Sequence, residues 1–344
     1  MLFSVVFDIS DFWHRVFIFI DIDKTTMKYK SYTISYENKK FKLKEAFKIS
    51  RGSKSSINTL KIKLENNNIF GNGECVPYTR YGDNLEEIIK TLESNKNIHN
   101  LNEIKFLSLR NAISNAHYDL ELKKKKIPFH KILKETKFKT TITIPIVDEK
   151  KFKKQVIKYK NIKYLKIKLN EKNIFNYLDI IKKYSPKSKI IIDANEGWSL
   201  PFLRNNEKKL KQYNILFVEQ PLKSNKDHLL KTSLPLCADE SFHLNKNIKN
   251  IKKFYKWVNI KPDKFGTEKD IIKAIQYARK NKLKIFLGCM VSSSLSIIPS
   301  LRYAKYCNLL DLDGAMFLSK DYKFGLKYKK GNLIYNKRFN FGYN

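Results

Sequence analysis

The sequence is poor in cysteine, in arginine, in acidic residues and in long apolar runs. Its four cysteines, Cys75, Cys237, Cys289 and Cys307, lie far apart with no CxxC or Cys/His ligand spacing. That argues against a zinc site or a disulfide scaffold and fits a reducing compartment, the cytoplasm. Only 8 of the 69 basic residues are arginine, yet the formal net charge is +36. A charge of that size first suggests nucleic acid or an anionic membrane. Nucleic-acid surfaces, however, favour clustered arginine with interleaved aromatics. Here the lysines are spread through every segment, and the densest run, Lys123–Lys126, reads as a solvated helix end. A compositional lysine habit accounts for the charge more simply, and no nucleic-acid partner is expected.

No apolar run reaches the roughly 18 to 20 residues that a membrane span needs. Residues 1–20 come nearest, but Asp8, Asp11, His14 and Arg15 interrupt them. They also lack the basic start and small-residue cleavage site of a signal peptide. Residues 1–26 carry four Asp against Arg15 and Lys24, opposite in sign to the body. They read as an atypical N-terminal extension, with Met27 the expected biological start. A hydrophobic content of 42% is enough for a sizeable core, so a disordered chain is not expected.

Periodicity divides the body in two. Residues 27–138 read as an α+β capping domain, with alternating strands at Tyr29–Tyr36 and Lys40–Ala46, a polar break at Arg51–Ser56 and a third strand at Ile57–Glu65. Helices follow at Leu85–Leu92 and Phe106–Leu122, the second stopped before Pro128. Residues 139–318 change character, with short apolar strands each followed by a lysine-rich amphipathic helix. Strands are expected at Thr141–Val147, Tyr164–Leu169, Lys189–Asp193, Ile215–Glu219, Leu234–Ala238, Trp257–Lys261, Leu283–Gly288 and Leu309–Asp313. Eight such units at intervals of roughly 19 to 26 residues predict an α/β fold closed as a parallel TIM-like barrel. Residues 319–344 have too little helical pattern for a ninth unit and are expected to pack back on the cap.

Polar residues gather at the strand ends, which in such a barrel converge on one mouth. Lys166 and Lys168 alternate with outward Leu165 and Ile167, so both ammonium groups point inward. Asp193, Glu219 and Asp239 end three consecutive strands, Lys261 ends the sixth, and Asp311 and Asp313 close the eighth. One polar strand end is ordinary. Three converging carboxylates repel one another, and a hard cation relieves that repulsion; oxygen-only ligands suit Mg²⁺. Lys168 and Lys261 would face each other across the cavity. That is the geometry for proton transfer at a carbon beside a metal-bound carboxylate, with Lys166 and the metal lowering the Lys168 pKa.

These residues resemble the enolase superfamily, more narrowly its muconate-lactonising-enzyme subgroup and the dipeptide epimerases within it, the L-Ala-D/L-Glu epimerase type. The resemblance rests on YLKIKLN (164–170), IIIDANEGW (190–198), FVEQPL (217–222), CADES (237–241) and VNIKPDKFG (258–266). LGCMVSSSLSI (287–297) belongs to the same resemblance, and FKISRGSK (47–54), GECVPYTRYG (73–82) and DLDG (311–314) tilt it toward the epimerases. It implies a modified (β/α)7β barrel under an N-terminal cap completed by the C-terminal segment. By the same resemblance Asp193, Glu219 and Asp239 would bind Mg²⁺, and Lys168 and Lys261 would be the two bases of a 1,1-proton transfer through a stabilised enediolate. Lys166 would hold the substrate carboxylate, Asp311 and Asp313 the dipeptide's α-ammonium, and Arg51 a side-chain carboxylate. Tyr81, and beside it Arg80, would close over the substrate, while Asn195 and Glu240 would orient ligands and a base. The chain departs from the pattern at Thr267, at Val291-Ser292 and at Ala315-Met316, none of them a metal ligand or base.

The resemblance further implies a cytoplasmic isomerase acting on a small dipeptide, in a family associated with recycling of peptidoglycan peptides. No membrane partner is expected, and assembly into a homo-oligomer is left open. Within the class, o-succinylbenzoate synthase and N-acylamino acid racemase share the lysines and the carboxylates. The Asp311/Asp313 pair discriminates, because it suits a cationic amine that neither alternative substrate offers. A lysine-rich nucleic-acid-binding protein is the reading from another class.

Overall fold

The computed structural model describes residues 32–50, 52–94, 100–243 and 250–343. The N-terminal extension, Met27 and Arg51 therefore lie outside the described residues. Three antiparallel strands open the fold: β1 (Thr33–Ile49), β2 (Gly52–Asn66) and β3 (Ile69–Cys75), hydrogen-bonded in that order. Two short strands and a polar break were expected at the start, but β1 runs as one strand with a register shift between Lys42 and Phe47. The polar residues before Ile57 belong to β2, pairing Phe47 with Lys54 and Lys48 with Ser53. Polar side chains do not end a strand whose two faces are both solvated, because the ladder of backbone hydrogen bonds continues regardless. The hairpin thus overhangs the second domain, where the Ile146 N–H donates to the Lys48 carbonyl at 3.1 Å.

Behind the sheet lie α1 (Leu85–Ser94) and α2 (Leu107–Lys124). Leu60, Ile62 and Leu64 pack on Leu109, Ala112, Ile113, Ala116 and Leu120 in one apolar cluster. Their spacing along α2 is the three-to-four repeat of a helix that buries one face.

Next comes an eight-stranded parallel sheet: β5 (Ile142–Ile144), β6 (Tyr164–Lys168), β7 (Lys189–Asp193), β8 (Ile215–Glu219), β9 (Leu236–Ala238), β10 (Trp257–Ile260), β11 (Lys284–Gly288) and β12 (Leu309–Asp311). Each strand pairs with its sequence neighbour, and the Thr141 N–H donates to the Leu310 carbonyl at 2.9 Å across the seam. This is the TIM-like barrel that the strand count predicted. Four helices cover its outside, α3 (Glu149–Lys158), α4 (Ile174–Tyr184), α5 (Leu200–Leu210) and α6 (Glu268–Lys280). Three repeats differ from expectation. Among the described residues β9 is followed by a four-residue helix at Ile251–Phe254, and β11 by a short helix at Ser294–Ile297 that runs into a 3-10 segment at Ile298–Tyr306. β8 is followed not by an amphipathic helix but by a 3-10 turn at Ser224–Leu229, in a link bounded by Pro221 and Pro235.

Alternation along the strands sorts the side chains. Leu165 and Ile167 face the helices, whereas Ile191, Phe217, Cys237, Trp257, Phe286 and Leu309 fill the barrel interior. The Phe217 ring lies 4.8 Å from Trp257 and 5.3 Å from Phe286. This aromatic plug keeps the lower barrel dry, so polar groups gather only at the carboxyl ends of the strands.

The C-terminal segment forms β13 (Lys327–Lys329) and β14 (Asn332–Ile334), which pair with each other, and β14 pairs in turn with β4 (Lys137–Lys139). Beyond them Phe341 packs on Phe129 at 5.0 Å, and the Gly342 N–H donates to Asp119 of α2 at 2.5 Å. The segment therefore touches both the cap and the base of the barrel. Among the described residues no helix is long and apolar enough to cross a membrane.

Candidate active site

β6 delivers two lysines to the mouth. The Lys166 ammonium sits between three carboxylates, 2.7 Å from Asp311, 2.7 Å from Glu219 and 3.1 Å from Asp193. Lys168, one step higher, donates to Asp193 at 2.6 Å and to the Asn195 side-chain oxygen at 3.0 Å. Four strands further round the ring, at the end of β10, Lys261 donates to Asp239 at 2.7 Å. Lys168 and Lys261 thus stand on opposite sides of the mouth. All three lysines are buried, as are Asp193, Glu219 and Asp239.

Burial in so small a space moves the ionisation equilibria. Glu219 is pushed up to about 7 by burial and by Asp193, with Lys166 opposing. Burial also pushes on Asp193, but the ammonium groups of Lys166, Lys168 and Lys261 outweigh it and hold the group below the usual carboxylate range. Asp239 behaves likewise, burial being overcome by Lys261 and Lys264. For Lys261, burial favours loss of the proton, but Asp239 more than compensates and the pKa rises.

The donor chemistry fits a hard divalent cation. Asp193, Glu219 and Asp239 offer only oxygens from three consecutive strands, and Lys166 already places a positive charge among two of them. The second carboxylate oxygen of Glu219 meets Lys166 only as an ion pair, without a hydrogen bond. As they stand, these carboxylates turn toward lysines, and among the described residues no three ligand side chains converge on one metal point.

Asp311 accepts from Lys166 and from the Thr141 hydroxyl at 2.5 Å. Asp313 accepts from the Thr143 N–H at 2.6 Å and the Thr143 hydroxyl at 3.3 Å. Burial first and Asp311 second push Asp313 up to about 7. The pair is buried, with the Lys166 ammonium against Asp311. Asn195 accepts from Lys168, and Glu240 is buried beside Asp239. Tyr81 was expected over the substrate. Its ring lies 5.4 Å from His243 and 5.6 Å from the Lys264 ammonium, while Arg80 forms a two-bonded pair with Glu196 at 2.7 and 3.0 Å. These contacts tie the second cap loop to the barrel rim.

Several supporting residues carried no assignment from sequence. Lys264 is fully buried and donates to the Asp239 carboxylate at 2.5 Å and the Asp239 carbonyl at 2.7 Å. Its signal was the lysine three residues after Lys261. Gln220 accepts the N–H groups of Asp239 at 3.1 Å and Ser241 at 3.0 Å, which fixes the turn presenting Asp239. Asn259 donates to Glu219 at 2.7 Å, and the Ser50 hydroxyl donates to the Ala194 carbonyl at 2.8 Å. Thr141 and Thr143 gave no warning, since a hydroxyl on a strand is ordinary.

Another buried acid joins the two domains. Glu74 of β3 accepts from the Ser293 N–H at 3.1 Å and from the Ser293 hydroxyl. Burial pushes it up to about 8 in spite of those bonds. A raised carboxyl pKa stabilises the fold fully below the ordinary value of 4.5, and that contribution is lost as pH rises through about 8. Stability should therefore fall between pH 5 and pH 8.5, by on the order of a few kcal/mol for this group, and Glu74→Gln should flatten the decline. Denaturant midpoints across that range measure it; equal slopes in both proteins would refute the assignment.

Comparison with known proteins gives a consistent picture. Residues 151–321 match the family described as enolase C-terminal domain-like. The chain is 31% identical to an N-acetyl-D-glutamate racemase of Pseudoalteromonas sp, over 79% of this chain and 91% of the relative. It is 30% identical to the L-Ala-D/L-Glu epimerase of Escherichia coli (strain K12), over 88% of this chain and 99% of the relative. A crystal structure of an Agrobacterium tumefaciens enolase family member, with bound sodium and L-Ala-L-Glu, superposes with a TM-score of 0.83. It is 27% identical and covers 90% of this chain and 100% of that one.

Proposed function

The chain belongs to the enolase superfamily, among its dipeptide epimerases and racemases, and from that premise we propose that it is an Mg²⁺-dependent epimerase inverting the Cα of the C-terminal residue of a dipeptide such as L-Ala-L-Glu. The observation that carries the reading is the pair Lys168 and Lys261, on strands four apart in an eight-stranded ring, each held by its own carboxylate.

Mg²⁺ held by Asp193, Glu219 and Asp239 would supply the positive charge that acidifies a carbon next to a bound carboxylate. With Asp193 and Asp239 turned toward a cation, the lysine that is neutral would take the proton from Cα while the other, carrying its proton, would return one to the opposite face. Lys166 is placed to meet the substrate carboxylate. Asp311 and Asp313 would offer the α-ammonium group two anions, beside the Lys166 ammonium that pairs with Asp311. Arg51 would meet a side-chain carboxylate, and glutamate is the residue named in both relatives above 30% or at it.

N-acylamino acid racemisation is the second reading, favoured by the N-acetyl-D-glutamate racemase among the relatives. One experiment decides between them. With Mg²⁺ in D₂O, L-Ala-L-Glu should exchange its glutamyl α-proton and epimerise, and chelation with EDTA should stop both. Asp311→Asn should cut turnover of the dipeptide by about 10²-fold or more but matter little for N-acetylglutamate. No exchange with any dipeptide of a broad panel, metal present, would defeat the main reading.

A further inference from the structure

The 3-10 turn at Ser224–Leu229, which stands where other strands are followed by a helix, carries Asp227 to within 3.3 Å of the Gln220 side chain. Gln220 comes directly after Glu219 and has φ 37°, a left-handed conformation that strains any residue with a Cβ. Its backbone N–H donates to the Cys237 carbonyl at 2.9 Å. Its side-chain oxygen accepts the N–H groups of Asp239 and Ser241 at 3.1 and 3.0 Å. One buried residue thus bridges the strand end that carries Glu219 and the strand end that carries Asp239.

The other half of the amide is held from behind. Gln220 Nε2 lies 2.9 Å from the Ser241 hydroxyl, 3.0 Å from the Leu222 carbonyl and 3.0 Å from the Tyr255 hydroxyl. Tyr255 gives its own proton to Asp227 at 2.7 Å, so toward Gln220 it can only accept. A flipped amide would set NH₂ against two N–H groups and its oxygen against a carbonyl, so the orientation is fixed. Gln220, Ser241 and Tyr255 are all buried, and in such surroundings each bond polarises the next. The chain of bonds runs from the Asp227 carboxylate through Tyr255 and Gln220 to the backbone that presents Asp239.

We propose that Tyr255 and Asp227 are positioning residues for the metal centre: acting through Gln220, they hold Glu219 and Asp239 in register and so set the affinity for Mg²⁺. The inference rests on the reading of Asp193, Glu219 and Asp239 as Mg²⁺ ligands and goes beyond it, since it assigns metal affinity to residues that are not ligands. Outer partners that fix a ligand's orientation are worth about 10- to 100-fold in metal affinity.

The test reads metal binding without turnover. Mn²⁺, which takes the same oxygen ligands as Mg²⁺, is titrated into the full chain and the free ion is quantified by electron paramagnetic resonance. Gln220→Met removes both halves of the amide and should raise the Mn²⁺ Kd by about tenfold or more. Tyr255→Phe and Asp227→Ala should each raise it by about threefold or more. Asp227→Asn, whose oxygen can still accept from Tyr255, should recover most of the affinity. The kcat of each variant should return toward the wild-type value at saturating Mg²⁺, because the defect lies in holding the ion. Thermal melts run alongside. If Gln220→Met does not fold, Tyr255→Phe and Asp227→Ala decide. A lowered Tm in those variants with Kd unchanged within about twofold makes the network purely structural and overturns the proposal. A wild type that binds no Mn²⁺ overturns both the relay and the metal reading. Weakened Mn²⁺ binding in the variants, with no α-proton exchange by the wild type on any dipeptide, retains the relay and defeats the epimerase reading instead.

Discussion

Lys168→Ala and Lys261→Ala should each abolish epimerisation, lowering kcat by about 10³-fold or more, but they should fail in complementary ways. α-Proton exchange from one epimer needs only the base on that face, since a lysine proton equilibrates with solvent. One variant should therefore lose exchange from the L,L substrate and keep it from the L,D substrate, and the other should do the reverse. Proton NMR in D₂O, begun from each pure epimer, reads this directly. If both variants lose exchange from the same epimer, or if either still epimerises at the wild-type rate, the two-base assignment fails. Stability must be followed alongside. Each lysine is the partner of a buried carboxylate, and removing one member of such a pair costs about 3–5 kcal/mol. Asp193 keeps Lys166 and Asp239 keeps Lys264 in the variants, but each loses one of its cations, so saturating Mg²⁺ should recover part of the loss, whereas a misfolded variant would gain nothing from the metal.

The second large effect is on folding. Gly73→Ala should destabilise the protein by about 3 kcal/mol or more and lower Tm by roughly 10 °C. A Cβ built on Gly73 would lie 2.0 Å from the Ala112 carbonyl oxygen, and one on Gly71 2.0 Å from that of Ala116. Both obstacles are backbone atoms of α2, which cannot rotate away as a side chain could. The helix would have to lift off β3, losing contacts of Leu60, Ile62 and Leu64 in the cap core. Gly82→Ala is the matched control. Gly82 has φ 88° and nothing within 4 Å of an added Cβ, so it should cost only the local strain, about 1 kcal/mol. Scanning calorimetry on the two variants separates crowding from backbone strain. A Gly73 variant as stable as the Gly82 one would show that α2 and β3 are not held as closely as this packing requires.

Much of the site was legible because alternation and strand ends are local properties. Lys166-Ile167-Lys168 can only place its two lysines on one face, and Asp193, Glu219 and Asp239 each close a short apolar run. The hairpin was less legible. Its polar residues, Lys48 and Ser53 to Ser56, have no periodic burial to mark them as strand, and only pairing with the opposite arm makes them so. The missing helix after β8 was obscured for a related reason, since a lysine-rich link between two prolines has the composition of the true helices elsewhere.

The sequence by itself determined which residues reach the mouth, which strands carry them, and that scarce acids rather than abundant lysines mark the site. Only the tertiary structure decided who meets whom there. Asp311 reaches Lys166 because closing the ring brings the last strand next to the first, so that only β5 separates the two residues. Lys264 lies beneath Asp239 because the turn after β10 folds back under the neighbouring strand. Those contacts depend on ring closure and loop path, which couple residues far apart in the chain and leave no periodic trace in it.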